Sequence, residues 1–159
     1  MTEIRPLERE DCAAAAEIEA ESLHEAWSQS AIASLCGKAD AAVLAAYERA
    51  ESGSEPSLVG LVHCEFVLDE AHISSVAVTQ SRRRRGIGEK LMLALFEEAK
   101  KRGCCVIFLD VRKSNTAAVA LYKKLGFTVL GEQAGAYRTV EGGKIVGREN
   151  ALVMGKKLI

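Results

Sequence analysis

The sequence lacks the features of several large classes of protein. Its 159 residues carry a formal net charge of −1, and only 5% are aromatic. A dedicated nucleic-acid-binding protein usually has a clear positive excess, with aromatic side chains among its basic clusters. No apolar run approaches the ~20 residues that a membrane-spanning helix needs. The N-terminus has no basic region followed by an apolar one, so we expect no secretory signal and a cytoplasmic location.

The cysteines form neither a metal-binding nor a disulfide pattern. Their number is odd, five, and no CxxC pair occurs among them. Small buried thiols in a reducing compartment are the simplest interpretation, and we expect no metal site. The positions are Cys12, Cys36, Cys64, Cys104 and Cys105.

The length and composition favour one soluble domain, residues 1–159. Apolar residues make up 48% and charged residues 27%, which are ordinary values for a globular protein. The central part predicts the order strand, helix, strand, helix, strand, an arrangement that places ligands at strand C-terminal ends and helix N-termini. Its elements are antiparallel strands at 58–67 and 71–78, a helix at 86–102, a strand at 104–111, a helix at 116–125 and a strand at 127–131.

The flanking regions carry weaker signals. We expect an edge strand at 2–7, a helix at 8–21 and a second helix that Ser28 caps. Residues 41–47 suit a strand, although their alanines would also suit a helix. A last strand is predicted at 148–156, and the polar, glycine-rich residues 132–147 are predicted to be a loop.

A run of four arginines, residues 82–85, leads into Gly86-Ile87-Gly88 and the start of a helix. Unpaired N–H groups and the positive end of the helix dipole make such a start an anion site. Glycine there allows close approach of the backbone. An ordinary turn would also explain the glycines taken alone, and a solvated cluster would explain the arginines.

Two longer blocks resemble the GNAT acetyltransferases, and two shorter blocks resemble one branch of that family. SSVAVTQSRRRRGIGEKLM is similar to the acyl-CoA-binding segment of that family, with Arg83, Gly86 and Gly88 at its three defining positions. FLDVRKSNTAAVALYKKLGF resembles the next family block. GRENALVMGKKL, and more weakly AWSQSAIASL, resemble the RimI-type branch of protein N-terminal acetyltransferases. One departure is Thr79-Gln80-Ser81, where the family usually has a His/Asn-Pro pair; we expect a looser turn there.

The resemblance implies a fold, a reaction and a donor site. The fold would be the α/β GNAT fold, a mixed, mostly antiparallel sheet of about six to seven strands flanked by about four helices. The reaction would transfer an acetyl group from acetyl-CoA to a protein N-terminal α-amine, with a ribosomal protein as one candidate acceptor. The donor would be held by the backbone of Val76, Ala77 and Val78, by Asn115 and Tyr122, and by Arg83, Arg84, Arg85, Gly86, Ile87, Gly88 and Glu89.

The resemblance also implies the catalytic groups. Tyr122, in the LYxxxGF block, would lie near the sulfur as general acid. Asp110 stands where the RimI-type branch has a glutamate on its strand, and would be the general base. A carboxylate within VIFLDV should face a cleft or a partner, such as Arg112 on the same strand face. Glu65 and His72 are competing bases, although each also suits a strand surface.

The acceptor side is less defined. Tyr137 stands where the RimI-type branch has a tyrosine pair at the peptide entrance, and it would bind substrate or simply pack. Trp27 and Glu25 lie in the matching N-terminal region. The alternatives are a GNAT enzyme for a small amine or a lysine side chain, a nucleic-acid-binding module, and a catalytically silent acyl-CoA sensor. A monomer and a homodimer both fit the sequence.

Overall fold

The computed structural model describes residues 2–22, 26–50 and 53–159. Seven strands and four α-helices occur in these ranges, together with two short 3₁₀ turns. In chain order they are β1 (Thr2–Pro6), α1 (Cys12–Ser22), α2 (Gln29–Cys36), β2 (Ala41–Glu48), β3 (Ser57–Val67), β4 (Glu70–Val78), α3 (Ile87–Lys101), β5 (Val106–Arg112), α4 (Thr116–Lys124), β6 (Thr128–Glu141) and β7 (Lys144–Lys157).

The strands form one mixed sheet in the order β1-β2-β3-β4-β5-β7-β6. Only the β4–β5 pair is parallel among the described strands, and the other neighbours are antiparallel. The predicted mostly antiparallel sheet is confirmed. The strand after α4 does not pair with β5, because β7 returns and inserts between β5 and β6.

Helices cover both faces of the sheet. The first two helices pack on one face, where Ile18 and Ile32 lie with Leu61 of β3. The third helix packs on the opposite face, where Leu91 lies with Val62. Consecutive residues of a strand point to opposite faces, so Leu61 and Val62 identify the two sides. We call these the α1 face and the α3 face; α4 also packs on the α3 face, through Ala118, Val119 and Tyr122.

Local sequence explains where several elements begin. The Ser28 hydroxyl accepts from Ala31 N–H and caps α2, and the Asn115 side chain accepts from Ala118 N–H and caps α4. Residues 41–48 form a strand despite their alanines, since they pair with β1 on one side and β3 on the other. Small side chains suit this strand because both of its faces are buried.

The prediction of a loop at 132–147 is wrong. β6 and β7 form a long hairpin that pairs as far as Glu141 and Lys144, so only Gly142 and Gly143 remain as the turn. Nearly every side chain of β6 is exposed or half-buried, and three register shifts interrupt the pairing. An exposed hairpin at a sheet edge needs backbone hydrogen bonds but few apolar side chains, and its composition therefore resembles that of a loop.

Candidate active site

The centre of the sheet opens between its two parallel strands. β4 and β5 pair from Glu70–Val106 to Ile73–Leu109, and no further pair joins them. Beyond that point a cavity of about 440 Å³ lies between the strands. It is lined by Ser22, Ile73, Ser74, Ser75, Val76, Leu109, Asp110, Val111, Arg112, Ser114, Asn115, Ala118, Tyr122 and Tyr137.

A bulge in β4 helps to shape this opening. Ile73 pairs with Cys64 and Ser75 with His63, so Ser74 has no partner on β3. The extra residue reverses the alternation of side chains along the strand. Ile73 packs on the α3 face, whereas Ser75 is buried on the α1 face, where Glu19 accepts from its hydroxyl.

The cavity passes from one face of the sheet to the other. Ser22 of α1 lines it from one side, and Ala118 and Tyr122 of α4 line it from the α3 face. Two ligands could therefore meet within it from opposite sides of the sheet. Such an arrangement suits a direct transfer between two bound substrates.

Asp110 lies in the wall of this cavity, on the face of β5 opposite Leu109 and Val111. The two neighbours are buried, while the Asp110 side chain is exposed. No hydrogen bond or ion pair joins its carboxylate to another side chain within the described ranges. The expected cleft-facing carboxylate is therefore where the sequence places it, with both oxygens available to a ligand.

Tyr122 lines the same cavity from α4, with its ring 5.8 Å from that of Phe127. Burial raises the pKa of Tyr122 to about 12, and the nearby Tyr137 hydroxyl adds to this rise. The phenol is therefore neutral at physiological pH and able to donate a hydrogen bond. It is the only phenol on the α4 side among the residues that line the cavity.

Two of the predicted donor-binding residues, Val76 and Asn115, also line the cavity. Asn115 uses its side-chain oxygen to cap α4, which leaves its amide hydrogens for another acceptor. Ala77 and Val78 lie outside the cavity wall, and the Val78 carbonyl accepts from the Arg83 guanidinium at 3.1 Å. An extended ligand that runs along β4 would therefore form hydrogen bonds with the backbone near Val76 rather than with the Val78 carbonyl.

The backbone at the start of α3 has the shape of an anion cradle. Gly86 adopts φ +78°, a left-handed conformation that favours glycine, and Ile87 begins the helix. A left-handed residue next to a right-handed one turns successive N–H groups toward a common point. Gly88 is different, since a Cβ there would meet only ordinary contacts at 3.9 Å with Leu121 and Val78. The protein itself therefore has room for a Cβ at position 88.

The four arginines have different surroundings. Arg82 forms an ion pair with Glu48 at 2.8 Å. Arg83 donates to the Val78 carbonyl and, at 2.6 Å, to the Ser22 hydroxyl, and thereby braces the loop against α1. Arg84 and Arg85 are exposed and have no side-chain partner in the described part of the chain. These two are the arginines available to attract a phosphate.

The turn before the arginines, which lacks the usual His/Asn-Pro pair, is hydrogen-bonded to α1. Glu21 of α1 accepts from the Thr79 hydroxyl at 2.9 Å and from the Gln80 N–H at 2.8 Å. These two hydrogen bonds, with the charge of Arg83, lower the pKa of Glu21. A carboxylate from another element thus supports a turn in which the family usually has a proline.

Tyr137 stands on β6 rather than in a loop, and it lines the cavity. The Arg112 guanidinium lies 4.6 Å from the centre of its ring and also donates to Glu149 at 2.8 Å. The bond from Arg112, followed by that from Ser114, lowers the pKa of Glu149. Arg112 therefore fastens the β6–β7 hairpin to the end of β5.

The comparisons with known proteins agree with this geometry. A family model described as the acetyltransferase (GNAT) family matches residues 3–127, which is most of the chain. The chain belongs to the GNAT acetyltransferase family. The predicted family, fold and enzyme class are thereby confirmed, while the roles of the individual site residues stay predictions.

Several relatives of this GNAT enzyme have names that state an activity. The [ribosomal protein bS18]-alanine N-acetyltransferase of Escherichia coli strain K12 is 33% identical over 154 residues, which cover 97% of this chain and 96% of that protein. The crystal structure of the ribosomal-protein-S18-alanine N-acetyltransferase from Escherichia coli superposes with a TM-score of 0.84 at 32% identity, covering 99% of this chain and 94% of that one. Arabidopsis thaliana NAA60, crystallised with acetyl-CoA, superposes with a TM-score of 0.85 over 99% of this chain and 98% of its own. At 19% identity this likeness shows the fold alone.

Other predicted residues of the GNAT enzyme lie away from the cavity. Glu65 pairs with Lys38 at 3.2 Å, and His72 lies 3.0 Å from Glu70 on an exposed part of β4. Neither lines the cavity, in agreement with their interpretation as strand-surface residues. Trp27 packs against the α1-face core, and Glu25 lies outside the described residues.

Three residues near the site were not predicted from the sequence. Ser22 and Ser75 line the cavity, and Glu19 is buried behind Ser75. The available signal was a glutamate on the apolar stripe of α1, next to Ile18. Among the described residues no group of His, Cys, Asp and Glu could hold a metal ion, and no helix is long and apolar enough to cross a membrane.

We expect the Tyr122 phenolate to form near pH 12 in the folded protein, rather than near the usual value of about 10, because burial disfavours the charged form. The difference in near-ultraviolet absorbance between wild type and Tyr122→Phe isolates this group during a pH titration. Circular dichroism at each pH checks that both proteins stay folded, and the same titration in urea gives the unperturbed reference. Ionisation of Tyr122 near pH 10 in the folded protein would contradict the assignment.

Substitutions at Gly88 should test the anion cradle. Gly88→Ala adds a methyl group for which the protein has room, and alanine exceeds glycine in helix propensity by about 0.8–1.0 kcal/mol, so the free energy of unfolding should not fall. A bulky side chain at the helix start should hinder an anion from reaching the backbone N–H groups, so Gly88→Leu should bind coenzyme A roughly tenfold more weakly or worse than Gly88→Ala. Urea unfolding and calorimetric titration measure the two quantities. Equal dissociation constants for coenzyme A in the two variants would show that the cradle lies elsewhere.

Proposed function

We propose that this GNAT enzyme transfers the acetyl group of acetyl-CoA to the α-amine at the N-terminus of a protein. The observation that carries the proposal is a cavity through the sheet with a neutral phenol, Tyr122, on its α4 side and a free carboxylate, Asp110, in its wall. Similarity to the bS18-alanine N-acetyltransferase over nearly the full length supports a protein N-terminus as acceptor, and a ribosomal protein is the first acceptor to test.

The residues present fit acetyl-CoA as the donor, which supplies an activated thioester. The N–H groups of Ile87, Gly88 and Glu89 follow the left-handed Gly86 and would hold the pyrophosphate, with Arg84 and Arg85 steering it. The Asn115 amide and the backbone at Val76 would bind the pantetheine arm and lead it into the cavity.

The first task of the protein is to free the acceptor lone pair. An α-amine has a pKa of about 7.7–8.0, so much of it carries a proton at neutral pH. Asp110 would accept this proton, through a water molecule because its side chain is short. The amine nitrogen then forms a bond to the thioester carbonyl carbon, the carbon–sulfur bond breaks, and the nitrogen releases its second proton to solvent.

The second task is to stabilise the departing sulfur. Tyr122 would donate a hydrogen bond to the thiolate. Its pKa of about 12 exceeds the value of about 8.5 for an ordinary thiol, so complete proton transfer from the phenol would be uphill. We therefore propose that Tyr122 acts mainly as a hydrogen-bond donor, and that solvent supplies the thiol proton after release.

The acceptor would enter on the side of the β6–β7 hairpin. Tyr137 stands at that end of the cavity, held by Arg112, and is placed to contact the acceptor peptide. All five cysteines are free, which supports action in a reducing compartment such as the cytoplasm.

The acceptor class can be decided with a panel of amines. Peptides with different N-terminal residues, N-terminally blocked lysine peptides and polyamines are each incubated with enzyme and acetyl-CoA, and mass spectrometry locates the acetyl group. We expect acetylation at the peptide α-amine, with alanine peptides among the substrates. Acetylation confined to lysine side chains or polyamines would replace the proposed acceptor, and none at all would favour an acyl-CoA sensor.

Asp110→Asn should lower kcat by about 10²-fold or more with a peptide acceptor at pH 7, as expected for loss of a general base. The deficit should shrink from pH 7 to pH 9, because above its pKa of about 8 the amine loses its proton without help. Asp40→Asn makes the same change at an exposed turn position and serves as the control. A deficit that stays constant with pH, or no deficit, would assign the proton transfer to another group.

A further inference from the structure

Three polar side chains are buried on the α1 face beside the cavity. Glu19 and His63 are 0% exposed and Ser75 is 7% exposed, and they are the buried polar residues in the described part of the chain. Glutamate is almost never fully buried unless it is paired. None of the three takes part in the transfer step, so their burial requires another explanation.

Glu19 connects four separate elements through its two oxygens. Oε1 accepts from the Ser75 hydroxyl of β4 at 3.1 Å and from the Trp27 N–H, ahead of α2, at 3.3 Å. Oε2 lies 3.0 Å from Nε2 of His63 on β3. The His63 and Trp27 rings pack edge to face, with centroids 4.7 Å apart and an interplanar angle of 62°. We call these four residues the Glu19 network.

The surroundings of the two ring nitrogens indicate which of them carries the hydrogen in His63. Nδ1 is buried and has no hydrogen-bond partner among the described residues, while Nε2 faces a carboxylate oxygen. A hydrogen on Nε2 is placed to donate to Glu19 and leaves only a lone pair without a partner on Nδ1. A hydrogen on Nδ1 alone would leave a buried donor unpaired, which costs more.

The Glu19 network lies on the acceptor side of the passage. The anion cradle is at the start of α3, and Tyr122 comes from α4, so the proposed donor would occupy the α3 face. Ser75 is buried on the α1 face and forms part of the cavity wall there. This face is the one left open to the second substrate.

We propose that Glu19 is a positioning residue that sets the acceptor side of the cavity. It holds Ser75 in the cavity wall and fixes the backbone at Trp27, in the segment that joins α1 to α2. The inference rests on the proposed function, because it concerns how the peptide N-terminus is bound. Under this proposal the affinity for the acceptor peptide depends on the buried Glu19 carboxylate, which touches neither substrate.

The test compares Glu19→Gln with Glu17→Gln, which makes the same change at an exposed position of the same helix. Glutamine cannot accept all of these hydrogen bonds, so the KM for the peptide should rise roughly tenfold or more. The KM for acetyl-CoA should stay within about twofold of wild type, and Glu17→Gln should match wild type. A merely structural defect would change both KM values together.

Ser75→Ala provides a milder variant in case Glu19→Gln does not fold. It removes one donor from Glu19 and keeps the bonds to Trp27 and His63, so the peptide KM should rise by a smaller factor in the same direction. An unchanged peptide KM in folded Ser75→Ala and Glu19→Gln would overturn the proposal. Equal increases in the two KM values would also overturn it.

A spectroscopic readout tests the network without any acetyl transfer. Trp27 is the single tryptophan of the chain, so its fluorescence reports on this segment alone. Glu19→Gln should shift the emission to longer wavelength and increase quenching by acrylamide, and Glu17→Gln should do neither. The ¹⁵N shifts of His63 should show hydrogen on Nε2 in wild type.

The two kinds of failure remain distinguishable. If wild type acetylates no peptide α-amine, the proposed function fails, and the fluorescence and nitrogen shifts still decide whether Glu19 fixes Trp27. If wild type acetylates peptides and Glu19→Gln alters neither the peptide KM nor the Trp27 emission, the inference about Glu19 fails alone.

Discussion

The site depends on the point at which β4 and β5 stop pairing. Parallel neighbours in the centre of a sheet normally continue to the strand ends, since each unpaired backbone group has a cost. Here the ladder ends at Ile73 and Leu109, and the bulge at Ser74 follows at once. The separation opens the cavity, exposes Asp110 on β5 and leaves backbone groups of β4 for a ligand. An extended substrate could form hydrogen bonds with the backbone groups of β4 that β5 leaves unpaired, and would then act as an added strand.

The elements around this opening hold its shape from outside. Glu21 fixes the turn before the arginines, Arg83 ties that loop to α1, and Arg112 fastens the β6–β7 hairpin to β5. Each contact joins elements distant in sequence, and each uses a charged group whose partner is also charged or polar. The four arginines of the basic run therefore differ in role. Arg82 and Arg83 hold the loop in place, whereas Arg84 and Arg85 face solvent.

The sequence predicts the local elements well and the long-range contacts poorly. The helix that follows Gly86 and the strand around Asp110 were predictable, because apolar periodicity and glycine positions are local signals. The β6–β7 hairpin was not, since an exposed hairpin has the composition of a loop. Asp110 and Tyr122 were assigned to one site only through family resemblance, and their meeting in one cavity depends on the fold.

The Glu19 network illustrates the same limit at the level of a single residue. Glu19 and His63 are 44 positions apart in the sequence. Each is a polar residue at a buried position of its element, where an apolar residue would be expected. A buried carboxylate is tolerable only with its donors in place, so it constrains every element that supplies one. The proposed donor site relies largely on backbone N–H groups at the start of α3, together with Asn115 and Tyr122, and would accept any coenzyme A thioester with the same phosphates. The proposed acceptor side is built from side chains that Glu19 holds in place, so substitutions there would alter the fit of the acceptor without touching the donor site. Selectivity for one amine should therefore arise on the α1 face, while the donor site stays the same.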